Sequence, residues 1–160
     1  MYGRLVESPS NPAVGDTAEI FPGGGETGAL VRAFDWSKTP LGPAASWPAS
    51  LRTLVSAMLQ TRQPMIVWWG PELIQFYNDA YLPIVGKARH PAAMGQRARE
   101  CWSEAWHIVG QLVRDVLAEG KASWDEDLLV PIFRNGSVED AWWTFSYSPA
   151  FDDQGARLPA

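Results

Sequence analysis

Residues 64–81, Pro-Met-Ile-Val-Trp-Trp-Gly-Pro-Glu-Leu-Ile-Gln-Phe-Tyr-Asn-Asp-Ala-Tyr, decide the fold. Two apolar runs, residues 65–69 and 73–77, flank the turn residues 70–72, and this spacing predicts a β-hairpin. Asn78 follows the second run, where its side chain can accept hydrogen bonds from the first N–H groups of a helix. We therefore expect a hairpin that leads directly into a short capped helix, and the loss of that cap should cost ~1 kcal/mol.

Apolar residues at helical spacing predict two longer helices, one on each side of this hairpin. The first covers residues 47–61, with Ser46 as its expected N-cap. The second runs from about residue 102 to 119 after an irregular stretch, and a helical wheel places His107 and Gly110 opposite its apolar face. A shorter helix is expected over residues 26–33.

A second hairpin is predicted near the end of the chain. Residues 123–133 and 139–149 are strand-like, and Asn135-Gly136 between them is the strongest short hairpin signal. Adjacent tryptophans occur in both hairpins, as Trp68-Trp69 and Trp142-Trp143. Because neighbouring side chains of a strand point to opposite faces, we expect both faces of the sheet to be covered.

Proline and glycine residues, which interrupt regular secondary structure, divide the chain into three parts. Residues 1–25 are predicted to form a flexible lead, in which only residues 18–21 could pair as a strand. Residues 26–61 form a helical extension, and residues 62–160 form the core of the domain.

Composition limits the function classes. The chain of 160 residues has the size of one domain and a net charge of −5, which disfavours nucleic acid as a partner. No apolar run approaches the ~18 residues of a membrane span, so membrane insertion is not expected. The single cysteine, Cys101, forms no internal disulfide, and together with the absence of a secretory signal this favours a cytoplasmic location.

The order of hairpin, asparagine-capped helix, long helix and second hairpin resembles a PAS domain. The resemblance is carried by Phe76-Tyr-Asn-Asp-Ala-Tyr81, by Gly86 closing the helix, by Phe133-Arg-Asn-Gly136 and by Trp143-Thr-Phe-Ser-Tyr-Ser-Pro149. It implies an α+β fold in which helices on one face of a five-stranded antiparallel sheet enclose a small pocket.

A narrower resemblance is to the N-terminal sensor PAS segment of bacterial hybrid histidine kinases. It rests on the following segments: Gly23-Gly-Gly-Glu26, Asp35-Trp-Ser37, Thr39-Pro-Leu-Gly-Pro43, Trp47-Pro-Ala-Ser-Leu-Arg52 and Trp68-Trp-Gly-Pro-Glu72. The resemblance implies a sensory input module of a two-component system, without catalysis of its own. It also implies a homodimer that regulates a downstream kinase domain in the parent protein.

Aromatic side chains are the candidate ligand-binding residues, because they fall on the elements that surround the pocket of a PAS domain. These residues are Trp68, Tyr77, Tyr81, Trp102, Trp106, Trp124 and Phe145. Stacking and one or two hydroxyl or indole hydrogen bonds would hold an apolar or aromatic ligand. The alternative is a structural dimerisation module whose core is filled by the same rings.

Cofactor and metal chemistry has weaker signals, and neither a cofactor nor a metal is expected. Residues 23–28 satisfy Gly-x-Gly-x-x-Gly but lack the preceding buried strand that a dinucleotide site needs. His90 and His107 are candidate haem ligands, and Cys101 a candidate flavin-reactive thiol, although its motif departs from that of the blue-light subfamily. These residues leave a haem- or flavin-bearing sensor as a second alternative.

An acidic triplet, Asp125-Glu-Asp127, has two candidate roles. In a regular strand Asp125 and Asp127 would share one face, where they could bind a cation. Charged residues on an exposed strand edge also prevent aggregation, and we favour that interpretation.

The resemblance leaves one strand unaccounted for. In a PAS sheet the final strand lies between the first and fourth strands, but only residues 156–160 follow the last predicted turn. We expect the core to be truncated at its C-terminus, with the resulting gap filled or closed. The candidates are residues 18–21 of the same or a partner chain, or direct pairing of residues 65–69 with residues 142–147.

Overall fold

The computed structural model describes residues 20–134 and 136–157, and it has a mixed α+β fold. Short 3₁₀ turns, Trp36–Lys38, Ala44–Ser46 and Asp79–Tyr81, lie between the longer elements. The helices are α1 (Gly25–Ala33), α2 (Ala49–Gln60), α3 (Leu82–Val85), α4 (Ala98–Cys101) and α5 (Trp106–Glu119), and the strands are β1 (Ile66–Trp69), β2 (Ile74–Tyr77), β3 (Asp125–Leu129), β4 (Ile132–Arg134), β5 (Ser137–Glu139) and β6 (Trp142–Phe145).

The first predicted hairpin is confirmed. Strands β1 and β2 pair antiparallel, with Ile66 opposite Tyr77 and Trp69 opposite Ile74. The expected division of the tryptophan pair is also found, because Trp69 is buried and Trp68 is half-buried. The hairpin therefore lies in the interior of the molecule, with elements packed on both of its faces.

The helical extension covers one face of the hairpin through an aromatic cluster. The Trp36 ring stacks on Phe76 of β2 at 4.7 Å between centroids, and Trp47 meets the same ring edge-on at 5.4 Å. Phe21 packs on Trp47 at 5.7 Å and has no exposed surface. The extension thus shares one core with the rest of the chain.

The predicted boundary of the flexible lead is wrong at its C-terminal end. Ile20 is helical, Phe21 forms a bend and is fully buried, and Gly25 already belongs to α1. Residues 18–21 could pair as a strand by their sequence, but Ile20 and Phe21 do not form one, and the ring of Phe21 packs in the aromatic cluster. The other residues of the predicted lead, residues 1–19, lie outside the described residues.

The Asn78 side chain forms more hydrogen bonds than the predicted helix cap requires. Its Oδ1 accepts from Tyr81 N at 3.2 Å, as predicted, and also from Met65 N at 3.0 Å. Its side-chain amide is fully buried. The amide nitrogen donates to three carbonyl oxygens in and after the last turn of α2, those of Met58, Thr61 and Gln63.

The N-terminus of α2 is capped from the far end of the chain. The Ser46 hydroxyl donates to Pro43 O, so its predicted role as N-cap is wrong. The Asp153 carboxylate instead accepts from Ala49 N at 3.1 Å and from Ser50 N at 2.7 Å. The same turn also caps α5: Arg157 donates through its guanidinium to the last carbonyls of that helix, 2.8 Å from Leu117 O and 2.8 Å from Ala118 O.

The apolar face of α5 is largely as predicted, with Val109, Val113 and Val116 buried. His107 is exposed, as its position on the helical wheel predicts. Gly110 was predicted to face solvent, but it is buried. The Trp106 indole lies over it, and a Cβ at this position would be 2.7 Å from the indole nitrogen.

The second hairpin is confirmed, but its ladder is interrupted. Strand β3 pairs with β6, with Leu128 opposite Trp143, and β4 pairs with β5, with Ile132 opposite Glu139. From Leu128 onward the two ladders continue one register. The gap between β3 and β4 lies at Val130 and Pro131, where Val130 N still donates to Ala141 O at 2.9 Å. The predicted turn residue Asn135 lies outside the described residues.

Two predictions for this hairpin are wrong. A register shift between Asp125 and Leu128 interrupts the alternation of side chains, and Asp127 has a φ of 48°, so Asp125 and Asp127 do not share a face in a regular strand. No described element packs against the outer face of this hairpin, so Trp124 and Trp142 are 66% and 67% exposed. The expectation that both faces would be covered is therefore wrong for this hairpin.

The five-stranded sheet is not formed by the described residues. The six strands pair only in couples, as three two-stranded sheets. Phe151 and Arg157 form an isolated antiparallel bridge, and β1 does not pair with β6, so the expected candidate of direct pairing between residues 65–69 and residues 142–147 is wrong. Within residues 20–157, none of the helices has the length and apolar character needed to cross a bilayer.

Replacing Asn78 with alanine should lower the free energy of unfolding by more than about 2 kcal/mol, because its partners at the end of α2, at Met65 and at Tyr81 lose their hydrogen bonds. This is more than the loss of a helix cap alone would cost. Chemical denaturation measures the difference, with Gln111→Ala on the exposed side of α5 as the matched control. Equal denaturation midpoints for the wild type and Asn78→Ala would contradict this stabilising role of the Asn78 side chain.

Asp79 caps α1 across the molecule. Its Oδ1 accepts from Thr27 N at 2.8 Å and from the Thr27 hydroxyl at 2.7 Å, and its Oδ2 accepts from Glu26 N at 3.1 Å. Gly25 allows this approach, since a Cβ there would lie 1.9 Å from Oδ2. Burial alone would raise the pKa of Asp79, but the hydrogen bonds from Thr27 and Glu26 outweigh it and lower the pKa.

Because the folded-state pKa of Asp79 is lowered, its contribution is complete above the unfolded value of about 3.8 and disappears as pH falls through the folded value. We expect Asp79→Asn to be destabilised by about 1 kcal/mol near neutral pH, and the difference from wild type to shrink below pH ~4. Denaturation midpoints across pH measure this, with Asp115→Asn as the control. A difference that grows on acidification would contradict the assignment.

Candidate functional site

A cavity of about 930 Å³ lies between α2, α5, the first hairpin and β6, and it is partly open to solvent. Leu54 of α2 and Val109 and Val113 of α5 line it. Residues 63–70, which include β1, and residues 143–151, which include most of β6, also line it.

The lining of this cavity carries no charged side chain among the described residues. Its polar side chains are hydroxyl and amide groups, in addition to the indoles of its tryptophans. An uncharged lining disfavours an ionic ligand, because a charge buried without a partner is costly. The polar lining residues are Ser50, Gln63, Tyr81, Thr144, Ser146, Tyr147 and Ser148.

Four of the seven predicted site residues line the cavity: Trp68, Tyr81, Trp102 and Phe145. The structure does not bring the other three to its lining. Tyr77 lies behind it, with its hydroxyl 2.9 Å from His90 Nδ1, while the Trp106 ring is 6.2 Å from that of Trp68. Trp124 lies on the exposed outer face of the second hairpin, since the register shift in β3 leaves it outside the core.

Gln75 occupies the indole hydrogen bonds that we expected a ligand to use. Its Oε1 accepts from Trp102 Nε1 at 2.9 Å and from Trp68 Nε1 at 3.3 Å, and its Nε2 donates to Ala93 O at 2.7 Å. The Gln75 side chain is fully buried. The two indoles therefore offer a ligand their apolar ring surfaces and not a free N–H.

Two tyrosines supply the aromatic hydroxyls of the lining. Burial raises the pKa of Tyr81, and the nearby Tyr147 raises it further. Burial also raises the pKa of Tyr147, as does the charge of Asp125. Both phenols consequently stay neutral across the pH range in which proteins are normally folded, and each can donate or accept one hydrogen bond.

The other candidate residues lie elsewhere. Cys101 is buried, and burial raises the pKa of its thiol, so the reactive thiolate is disfavoured. His107 is exposed on α5. His90 joins Tyr77 to Glu26 of α1, with its Nε2 3.0 Å from Glu26 Oε1. None of these three residues lines the cavity.

The acidic triplet and the glycine-rich segment show no site geometry. Among the residues that the structure describes, no group of three His, Cys, Asp or Glu side chains is placed to hold a metal ion. The glycine segment at residues 23–25 follows a bend and not a strand, and the N–H groups at the start of α1 are used by Asp79.

Sequence patterns identified part of this site and missed another part. The sequence predicts an apolar face for α5, but helical periodicity cannot distinguish a face that packs in a filled core from one that forms a cavity wall. Tyr147 was also missed, although its alternation with Phe145 gives the signal: both residues line the cavity, and their rings are 5.0 Å apart.

Neither a protein-family model nor any curated protein sequence matches this chain. The resemblance to PAS domains therefore stays a prediction. The role of the cavity has to be argued from its own geometry and chemistry.

The purified protein should be colourless, because the two histidines and the cysteine that could serve a haem or flavin do not line the cavity. The absorption spectrum of the protein as purified measures this directly. We expect only the ultraviolet absorption of the aromatic side chains and no visible band. A Soret peak or a flavin spectrum at a stoichiometric level would contradict the prediction.

Proposed function

We propose that this chain is a sensory input domain of the PAS type, which binds a small uncharged apolar or aromatic ligand in the cavity between α2 and α5. The single observation that carries the proposal is the uncharged cavity of about 930 Å³, which lies in the usual range for small-molecule sites. Its aromatic walls suit stacking against a flat ligand.

The chemistry of the walls defines the ligand class further. Valine and leucine side chains on the helices favour an apolar body, and Tyr81 and Tyr147 can each make one hydrogen bond to it. The indoles of Trp68 and Trp102 are fixed by Gln75, so their ring faces are already oriented before a ligand binds. Such preorganisation reduces the entropy cost of binding.

Signal output is proposed to pass through the elements that border the cavity. Asp153 holds α2 and Arg157 holds α5, and both belong to the turn that follows the β6 side of the cavity. A ligand that favours one spacing of these helices would shift their packing. In the proposed parent protein, this shift would act across a homodimer on a downstream histidine kinase domain, and the domain itself would not be an enzyme.

A cavity-filling variant tests the ligand site. Val113→Trp places an indole in the cavity, whereas Leu112→Trp adds the same group to α5 at a position that does not line it. Nile red, an uncharged apolar dye, should bind the wild type and the control, and its affinity for Val113→Trp should fall by about tenfold because of the steric overlap. Fluorescence titration gives the dissociation constants.

Circular dichroism tests whether both variants fold. If Val113→Trp does not fold, Ala105→Leu is a second variant that fills the cavity. Native mass spectrometry of the wild type as purified reports ligand and oligomeric state together. No retained ligand and no saturable dye binding would overturn the ligand role and favour the ligand-free dimerisation module.

A further inference from the structure

Large exposed apolar side chains concentrate on the second hairpin. Of the five among the described residues, four belong to this hairpin: Trp124, Phe133, Val138 and Trp142. Phe133 is directly opposite Val138 in the β4–β5 ladder, so these two side chains share a face. Single exposed apolar residues are normal on a protein surface, whereas a contiguous patch marks an interaction site.

Strand register places the two tryptophans on the same face as each other, away from the cavity. Asp125 is opposite Phe145, which lines the cavity, so the neighbouring Trp124 points to the other face. Trp142 is three positions from Phe145 and therefore also points away from the cavity. Val138 is four positions from Trp142 along the same arm of the hairpin, which adds it to this outer face.

Carboxylates lie beside both tryptophans on the outer face. The Trp124 indole donates from Nε1 to Glu126 Oε1 at 2.8 Å. Asp140 is exposed and lies two positions before Trp142, on the same face. From Trp124 to Trp142 the chain contains five acidic residues and one basic residue. The outer face therefore combines apolar rings with negative charge.

We propose that this outer face is the docking surface for a basic amphipathic helix of a partner protein. The inference goes beyond the proposed function, because Trp124 and Trp142 do not line the cavity. Apolar residues of the helix would pack on the two indoles, and its lysine or arginine side chains would meet Glu126 and Asp140. Cations also interact favourably with the face of a tryptophan ring, so both features of the surface attract them.

A helix is the form of segment that fits the face of a hairpin. The backbone groups of paired strands point sideways, so a segment that lies on the face has to satisfy its own N–H and C=O groups. A helix does this internally, and helices packed on sheet faces are a common arrangement. Val138 and Phe145 are seven positions apart, a length of ~23 Å that a helix of about 16 residues would span.

Charge selects a basic partner over the other segments that could cover this face. In a two-fold dimer the same face would meet itself, and Glu126 and Asp140 would approach the like charges of the second copy. Residues 1–19 of this chain contain three acidic residues and one basic residue, and residues 158–160 contain neither kind. An anionic lipid surface would be repelled.

The size of the apolar patch predicts a transient complex. Two indoles that are about two-thirds exposed offer roughly 300 Å² together. A stable interface buries about 800 Å² on each partner. The charged contacts around the indoles have to supply the remainder, so we expect an affinity that falls as the salt concentration rises.

The test uses a fluorescein-labelled peptide of sixteen residues, (Lys-Leu-Leu-Lys)₄-amide, and fluorescence anisotropy as the measurement. Trp124→Ala and Trp142→Ala should each weaken binding about fivefold or more, because each removes an apolar contact of the helix. Glu126→Gln combined with Asp140→Asn should weaken binding by about the same factor.

A matched double variant controls for net charge. Asp115→Asn with Glu119→Gln removes two exposed carboxylates from α5 and should leave the affinity for the peptide unchanged. A second peptide, with glutamate in place of every lysine, should not bind. Equal binding of the two peptides, or equal weakening by the two double variants, would overturn the proposal. Circular dichroism tests whether each variant folds.

Nuclear magnetic resonance of the indole N–H groups locates the bound peptide. Signals of Trp124 and Trp142 should shift on addition of the lysine peptide. The signal of Trp36, whose buried Nε1 donates to Val31 O at 2.8 Å, should not shift and is the control in the same molecule. Shifts confined to indoles other than Trp124 and Trp142 would place the peptide elsewhere and overturn the proposal.

Three other results would also overturn it. Indole N–H groups of Trp124 and Trp142 that are shielded from solvent in the free monomer would assign the face to a segment of this chain outside the described residues. Shielding that rises with protein concentration, together with a dimer in sedimentation, would assign it to a second copy. Absence of saturable peptide binding with Nile red binding retained would reject the docking surface and leave the proposed ligand function intact.

Discussion

The side chain of Asn78 is the interaction on which the rest of the fold depends. A single buried amide satisfies carbonyl groups from the end of α2, the first N–H of the β1 segment and the N–H of Tyr81. Buried backbone groups without partners are costly, so these segments can meet only where this amide satisfies them all. Asn78 thereby fixes the helical extension relative to the first hairpin.

The same principle recurs at other helix ends. Asp79 bonds to the first N–H groups of α1, Asp153 to those of α2, and Arg157 to the last carbonyls of α5. In each case the charge of the side chain complements the helix dipole, negative at the N-terminus and positive at the C-terminus. Together these contacts hold α2 and α5 at one cavity, and thereby define the space that a ligand could occupy.

Two features of the cavity follow from different parts of the chain. Its uncharged walls come from the apolar faces of helices, while most of its hydroxyl groups come from residues 144–148 in and after β6. The walls suit the apolar body of the proposed ligand, and the hydroxyl groups can form hydrogen bonds to it.

Local patterns in the sequence determined both hairpins, the approximate spans of α1, α2 and α5, and the cap at Asn78, because strand alternation and helical periodicity relate residues only a few positions apart. Tertiary structure alone decided that Asp153 and not Ser46 caps α2, since the carboxylate lies 103 residues from the N–H of Ser50 that it accepts. It also decided that Trp124 is exposed, because an irregular register in β3 cannot be deduced from alternation. The tertiary structure also decided the cavity. Periodicity identifies the apolar face of α5, but only the placement of the surrounding elements determines whether that face packs against a neighbour or lines an open space.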